Sequence, residues 1–337
     1  MINLDQEQKE VLDYKGSCYV IGPPGTGKTE IFIAKAVESE CTSAFLPFTK
    51  AARQELITRL PKTKFYFNKK EYEVLKGDIT VATINAFCQR SLSDFPGSYH
   101  MQLINFLRIL DKEKYGLVGV DEIQDLRPLH FEVIKSIKGG TLLAGGDPYQ
   151  TIFTFGDALG FEIFNNLDKM DCKRFNLHNN YRSGKEVIDL LNLIYPRDIK
   201  ALGPKTYNRI AIFARTHNQL QSVSEKFALS NIPHILRLQD GSDITIGTQN
   251  NIYLMVTHAC KGLGFDKVYQ LDWNEPFDFK QTNEETNLLY VSVARASKEF
   301  TLVEGHEFSF CYRQLKKTNC RIIDIDELIG EVSIYAS

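Results

Sequence analysis

Residues 22–29 read GPPGTGKT and lie between the apolar run SCYVIG and the helical pattern KTEIFIAKAVES. Strand, glycine-rich loop and helix in that order satisfy G-x-x-x-x-G-K-[ST] in the context that gives the pattern meaning. The glycines let the backbone curl until its N–H groups and the helix N-terminus face phosphate oxygens. Gly22, Pro23, Gly25, Thr26 and Gly27 form the cradle, Lys28 brings a point charge to the β- and γ-phosphates, and Thr29 brings a hydroxyl to Mg²⁺. A loop of this kind must be fed by a strand and must feed a helix, so it commits the chain to an α/β fold.

The rest of the first half agrees. SAFLPF precedes KAARQELITRL, ITVAT precedes INAFCQRSL, and YGLVGVDE and TLLAGGD follow. Short, wholly apolar strands alternating with helices predict a mainly parallel sheet covered by helices on both faces. Ala51, Ala52, Leu56 and Leu60 fall at near-helical spacing, as core-facing positions do. A second α/β series starts after NNYRS: EVIDLLNLIY as helix, RIAIFAR as strand, QLQSVSEKFALSN as helix, NIYLMVTHA and KVYQLDW as strands, NLLYVSVARA as helix, EFTLVE and CRIIDI as strands. With 337 residues and a prior of roughly 150 per domain, two domains are expected, 1–175 and 176–337.

Composition narrows the class further. Hydrophobic residues make up 43% and charged residues 24% of the chain, as in ordinary globular proteins. No apolar run reaches the roughly 18 residues of a membrane span, and MINLDQEQKE lacks the regions of a signal peptide. A cytoplasmic protein is expected, in the host cytoplasm were it virus-encoded, with no membrane partner. The seven cysteines are odd in number, scattered and never form CxxC, which excludes a disulfide framework or a zinc ribbon. A net charge of −2 excludes a histone-like cationic coat, although basic residues crowd between Lys50 and Lys76. The basic run reads as a solvated helix face, with a local polyanion site as the alternative, and Asp324, Asp326, Glu327 and Glu331 after Arg321 read as a polar loop.

LVGVDEIQD supplies the second half of a nucleotide site. Asp121 ends an apolar strand, where ligands bind in open parallel sheets, and can hold Mg²⁺; Glu122 can accept a proton from an attacking water. A guanine-reading Asn-Lys-x-Asp element is missing: the nearest string is NKKE at 68–71, which ends in glutamate. In GDPYQTIFTF, residues 146–155, a lone amide at Gln150 stands beside the rings of Phe153 and Phe155 where a strand runs out.

Taken in order from Leu4 to Val303, these strings resemble the motifs of superfamily 1 helicases of the UvrD/Rep type. LDQEQKEVL resembles the Q motif, FTKAARQEL motif Ia, VATINAFCQ motif Ib, VDEIQD motif II, GDPYQTIF motif III, NNYRS motif IV, THACKGLGFDKV motif V and LLYVSVARA motif VI. The resemblance implies two RecA-like P-loop domains with ATP in the cleft between them. It implies that Gln8 reads the adenine edge, Tyr181 stacks on the base and Gly262 lies at the nucleotide. Gln150 would sense the γ-phosphate, and Arg182 and Arg295 would neutralise charge developing on it. Phe48, Thr83, Phe153, Phe155, Arg215 and His258 would line a single-strand groove, where stacking is worth about 1–3 kcal/mol per base. The implied activity is ATP- and Mg²⁺-dependent translocation on single-stranded DNA, 3′ to 5′, with unwinding at single/double-strand junctions, alone or with a loading or accessory protein.

Five positions depart from the pattern: Glu30 where arginine is common, Asn85 for histidine, Gly264 for glutamate, and Gly156-Asp157 for Arg-Gly. The chain is also short for the family, since 37 residues separate Thr83 from Asp121 and 42 separate Arg215 from His258, leaving little room for accessory subdomains. A nucleotide-gated binding module, or a motor that tracks RNA, is the alternative reading.

Overall fold

The computed structural model describes residues 4–60, 64–67, 70–73, 78–89, 101, 103–105, 107, 114–152, 158–237, 251–273, 282–305 and 309–336. The chain divides into two compact units. One holds Met1–Pro23 and Gly27–Leu177, the other Pro24–Thr26 and His178–Ser337.

The first unit is built on strands β1 (Cys18–Ile21), β2 (Ser43–Phe45), β3 (Lys64–Phe67), β4 (Lys70–Glu73), β5 (Ile79–Val81), β6 (Tyr115–Val120), β7 (Lys138–Gly146) and β8 (Lys173–Asn176). They form one sheet in the order β4-β3-β5-β2-β6-β7-β1-β8. Among the described residues every pairing is parallel except β3 with β4, an antiparallel pair in which Phe65 is in register with Tyr72. That pair escapes the sequence reading because lysines and glutamates punctuate its apolar residues. The helices are α1 (Gln6–Asp13), α2 (Lys28–Glu38), α3 (Lys50–Arg59), α4 (Ile84–Gln89), α5 (Pro128–Ile137) and α6 (Glu162–Lys169).

Period-two alternation divides the apolar strands between two cores. Tyr19, Ile21, Val118, Val120, Leu142 and Ala144 pack with Phe131 and Ile134 of α5 and Phe164 and Leu167 of α6. Cys18, Val20, Leu117 and Leu143 pack with Val11 of α1, Ile31 and Phe32 of α2, and Leu56 beside Leu60. Burial on both faces is why these strands read as continuous hydrophobic runs.

The second unit has a two-stranded pair, β9 (Asn179–Asn180) with β10 (Lys200–Ala201), and a larger sheet of β11 (Arg209–Ala214), β12 (Ile235–Arg237), β13 (Asn251–Val256), β14 (Phe265–Leu271), β15 (Ala296–Val303) and β16 (Arg321–Ile323). The larger sheet is parallel throughout, ordered β12-β13-β11-β14-β15-β16. Its helices are α7 (Lys185–Ile194), α8 (His217–Leu229), α9 (Thr282–Val293), α10 (Phe310–Leu315) and α11 (Ile325–Ala336). Ile210, Ile212, Leu254 and Val256 pack under Leu220, Val223 and Phe227 of α8 and Leu328 and Val332 of α11. The acidic tail is therefore a helix with a buried stripe. Asp324 accepts the N–H groups of Asp326 (2.9 Å) and Glu327 (2.8 Å), and acids in a first helical turn suit the helix dipole.

None of the seven cysteines forms a disulfide. No helix among the described residues is long and apolar enough to cross a membrane. Two mainly parallel sheets flanked by helices are the architecture of a pair of RecA-like domains.

Candidate nucleotide and nucleic-acid sites

Strand β1 runs out at Ile21, and Gly22 N–H donates to Gly146 O at 3.1 Å, so the ends of β1 and β7 are tied where the loop begins. Gly25 and Gly27 take φ of +85° and +81°, a region L side chains rarely adopt, and Gly27 caps α2. A Cβ on Gly27 would strike the Gln8 amide nitrogen. Gln8 is buried and completes a reciprocal cap with Asp5: its Oε1 accepts Asp5 N–H at 3.0 Å, while Gln8 N–H donates to Asp5 Oδ1 at 2.8 Å. The local helix cap thus presses the Gln8 amide nitrogen against the glycine loop. Lys28 is buried, and its Nζ donates to Gly22 O (2.6 Å) and Pro23 O (3.3 Å). Thr29 is the second residue of α2, and Thr26 is buried.

At the end of β6, Asp121 is buried and its Oδ1 accepts the Glu122 N–H at 2.9 Å. Burial first, and the neighbouring Glu122 second, push its carboxyl up to about 7, against the pull of Lys28. Glu122 takes the left-handed conformation, φ +53°, ahead of a 3-10 turn over Ile123–Asp125. Such strain in a non-glycine residue costs about 1 kcal/mol or more and is characteristic of functional sites.

The 3-10 turn carries a residue the sequence reading passes over. Gln124 has no exposed surface; its Nε2 donates to Glu122 Oε2 at 2.5 Å, and its Oε1 accepts the Asp147 N–H at 3.0 Å. Asp147 continues the chain of contacts, because its Oδ2 accepts from Gln150 Nε2 at 3.2 Å and its Oδ1 from Tyr149 N–H at 3.2 Å. Buried Gln150 is thereby connected through hydrogen bonds to Glu122, 28 positions away in sequence. The amide in VDEIQD was the available signal. Phe153 and Phe155, like Gly156 and Asp157, lie outside the described residues. Phe48 packs against the core cluster of the α5–α6 face, and Thr83 caps α4 by accepting Ala86 N–H at 3.2 Å. Exposed Asn85 follows it, and Glu30 pairs with Arg59 of α3, which also holds Glu55 at 3.0 Å.

The second unit organises the NNYRS turn around Asn180, another position sequence reasoning missed. This wholly buried side chain accepts the N–H groups of Arg182 and Ser183, both at 2.8 Å, and donates to Pro24 O at 2.6 Å. Tyr181 N–H donates to Gly25 O at 2.8 Å, and Tyr181 is 40% exposed. Arg182 Nη1 is buried with no hydrogen-bond partner among the described residues. Arg295 is buried, donating to Leu263 O (3.2 Å) and Val291 O (3.3 Å). Gly262, φ +84°, has open space where a side chain would stand.

Arg215 and His258 both face acids from the first turns of α9. Arg215 binds buried Glu285 through two nitrogens (Nη2–Oε1 2.8 Å, Nε–Oε2 3.1 Å), and His258 Nε2 lies 3.8 Å from Glu284 Oε1. At Gly264 the missing glutamate has a steric reason: a Cβ would fall 2.7 Å from Tyr207 Oη, and Arg209 Nε donates to Gly264 O at 2.6 Å.

The glycine cradle, the buried lysine and the hydroxyl and carboxylate oxygens of Thr29 and Asp121 fit a nucleoside triphosphate with Mg²⁺, a hard cation that takes oxygen ligands. Residues 8–156 match the AAA domain family, and residues 235–305 match the UvrD-like helicase C-terminal domain. Among solved structures, the arterivirus nonstructural protein 10 helicase in complex with DNA is similar at 17% identity and TM-score 0.52, covering 92% of this chain and 65% of that one. The same arterivirus helicase solved alone gives 18%, 0.52, 92% and 64%. The chain spans about two thirds of the length of these helicases, and at such identities the likeness is one of fold. No curated protein matches the chain in sequence. The ordered motifs together with both family matches support a UvrD-like superfamily 1 helicase.

Proposed function

We propose that the chain hydrolyses ATP to move along single-stranded DNA, 3′ to 5′, and to open duplex at single/double-strand junctions. The observation that carries this reading is the continuous hydrogen-bonded array from Asp121 and Glu122 through Gln124 and Asp147 to Gln150, at the strand ends that also bear the glycine loop. A binding module needs the loop; only a hydrolase has use for an aimed glutamate beyond it.

In this reading the N–H groups of the loop and Lys28 hold the β- and γ-phosphates, and Gln8 and Tyr181 hold the adenine. Thr29 and Asp121 would hold Mg²⁺, which when bound neutralises charge on the β- and γ-oxygens. Glu122 accepts the proton of the water whose oxygen forms the new bond to the γ-phosphorus, as the bond from that phosphorus to the bridging oxygen of ADP breaks. Gln150 orients the γ-phosphate, and Arg182 and Arg295 stabilise its developing charge. Phe48, Thr83, Phe153, Phe155, Arg215 and His258 contact the strand. The structural relative solved with DNA supports DNA as the track.

The test measures ATP turnover with and without single-stranded DNA and RNA, then unwinding of 3′-tailed and 5′-tailed duplexes. Stimulation by DNA and opening of the 3′-tailed duplex are expected; turnover indifferent to nucleic acid would sink the motor reading.

A further inference from the structure

We propose that Asn180 is a positioning residue that seats Arg182, the candidate γ-phosphate arginine, beside the crown of the glycine loop. That crown, Pro24–Thr26, packs with the second unit. The Asn180 side chain is wholly buried and takes three hydrogen bonds: Oδ1 accepts the N–H groups of Arg182 and Ser183, both at 2.8 Å, and Nδ2 donates to Pro24 O at 2.6 Å. Tyr181 N–H adds a parallel tie to Gly25 O at 2.8 Å. The far side of the turn is anchored as well. Buried Ser183 donates through its hydroxyl to Ala296 O at 2.7 Å, next to Arg295 in the chain, and Gly184 N–H donates to Ser297 O at 2.8 Å.

The orientation of the amide is not a free choice. A backbone N–H can only donate and a proline carbonyl can only accept, so the oxygen must face the turn and the NH₂ must face the loop. Removing either partner would strand a polar atom out of water, which holds the three segments to one arrangement. The approach is also close. Gly25 takes φ +85°, and a Cβ there would fall 2.5 Å from Arg182 Cβ and 3.1 Å from both polar atoms of the Asn180 amide. A side chain at Gly25 would therefore lever the arginine off the loop. What the arrangement leaves over is Arg182 Nη1, buried with no hydrogen-bond partner among the described residues. A guanidinium donor held in that way beside a phosphate-binding loop is complementary to an anionic oxygen, and the Asn180 amide fixes the backbone that carries it.

The proposal rests on the reading of Arg182 as a γ-phosphate ligand, and the experiment separates the two. Asn180→Ala removes all three bonds; Asn180→Asp keeps the acceptors for Arg182 and Ser183 but turns an oxygen on Pro24 O. In the full chain, kcat for ATP is expected to fall on the order of 10- to 100-fold in Asn180→Ala, as misplacement of a catalytic group does, and by less in Asn180→Asp. The Kd for ADP, which has no γ-phosphate, should stay within about threefold. Adding Asn180→Ala to Arg182→Ala should reduce turnover no further than Arg182→Ala alone. Melting temperature is measured alongside, and whichever Asn180 variant folds carries the test. Unchanged turnover in Arg182→Ala would overturn the reading of Arg182. Turnover lost in Arg182→Ala but normal in the folded Asn180 variant would overturn the positioning role alone. So would losses that add in the double variant, or an ADP affinity that falls as far as kcat, since either marks a scaffold for the loop and not a seat for the arginine.

Discussion

Asp121 should make the nucleotide-free protein less stable than it could be. Its carboxyl lies out of water beside Glu122, and these two causes raise it from the ordinary 3.8 to about 7, with Lys28 offsetting only part. Each tenfold change in proton affinity is worth about 1.4 kcal/mol, so keeping Asp121 ionised in the folded chain has a cost on the order of a few kcal/mol. The sign follows from linkage. Between about pH 4 and 7 the folded protein retains a proton that the unfolded chain has released, so stability falls as pH rises through that window. Above pH 7 the whole penalty is present, and below pH 4 it vanishes. Asp121→Asn keeps an oxygen for the Glu122 N–H and removes the charge. Urea unfolding followed by circular dichroism should show the variant more stable by about 2–4 kcal/mol at pH 8, with the gap closing toward pH 4. ATP with Mg²⁺ should stabilise the native chain and not the variant, which should not turn over. A variant no more stable than the native protein at pH 8, or a gap that ignores pH, would refute the argument. A group held charged at a cost in stability is what a cation site requires.

Three further outcomes follow from the geometry. Gly27→Ala combines positive φ with a Cβ against Gln8, so it should lower stability by about 1–3 kcal/mol in urea and abolish ATP binding in a filter assay. Arg295→Ala should leave nucleotide Kd nearly unchanged while turnover falls about 10³-fold, as loss of an arginine on a transferred phosphoryl group does; equal losses in both would contradict the assigned role. Glu285→Gln releases Arg215 from its paired carboxylate, so single-strand binding should tighten and its logarithmic salt slope steepen by about 0.7 for one further phosphate contact, whereas an unchanged slope would remove Arg215 from the groove.

Local rules account for what was legible early. The glycine loop, the wholly apolar strands of the first sheet and the 3.6-residue spacing of α8 are each set within a dozen residues, and short-range sterics and burial pattern suffice to read them. The antiparallel pair of β3 and β4 was not legible, since its side-chain pattern lacks clean alternation. Helix α11 hid for a similar reason: its acids are conspicuous in sequence, while Leu328 and Val332 gain meaning only against the sheet they cover.

The amino-acid sequence by itself determined which groups could bind phosphate, hold a cation and take a proton, because loop, strand end and acid pair are contiguous strings. Only the tertiary structure decided how those groups are aimed. Gln124 and Asp147 are 23 positions apart, and Asn180 and Pro24 are 156 apart, so no local pattern announces that their amides meet other segments. Parallel sheets bring strand ends from distant stretches to one edge, and buried amides there must find partners or forfeit their hydrogen bonds. The same necessity set Arg215 against Glu285 and closed the glutamate position at Gly264 with Tyr207, since burial leaves each group to whatever complement the fold brings beside it.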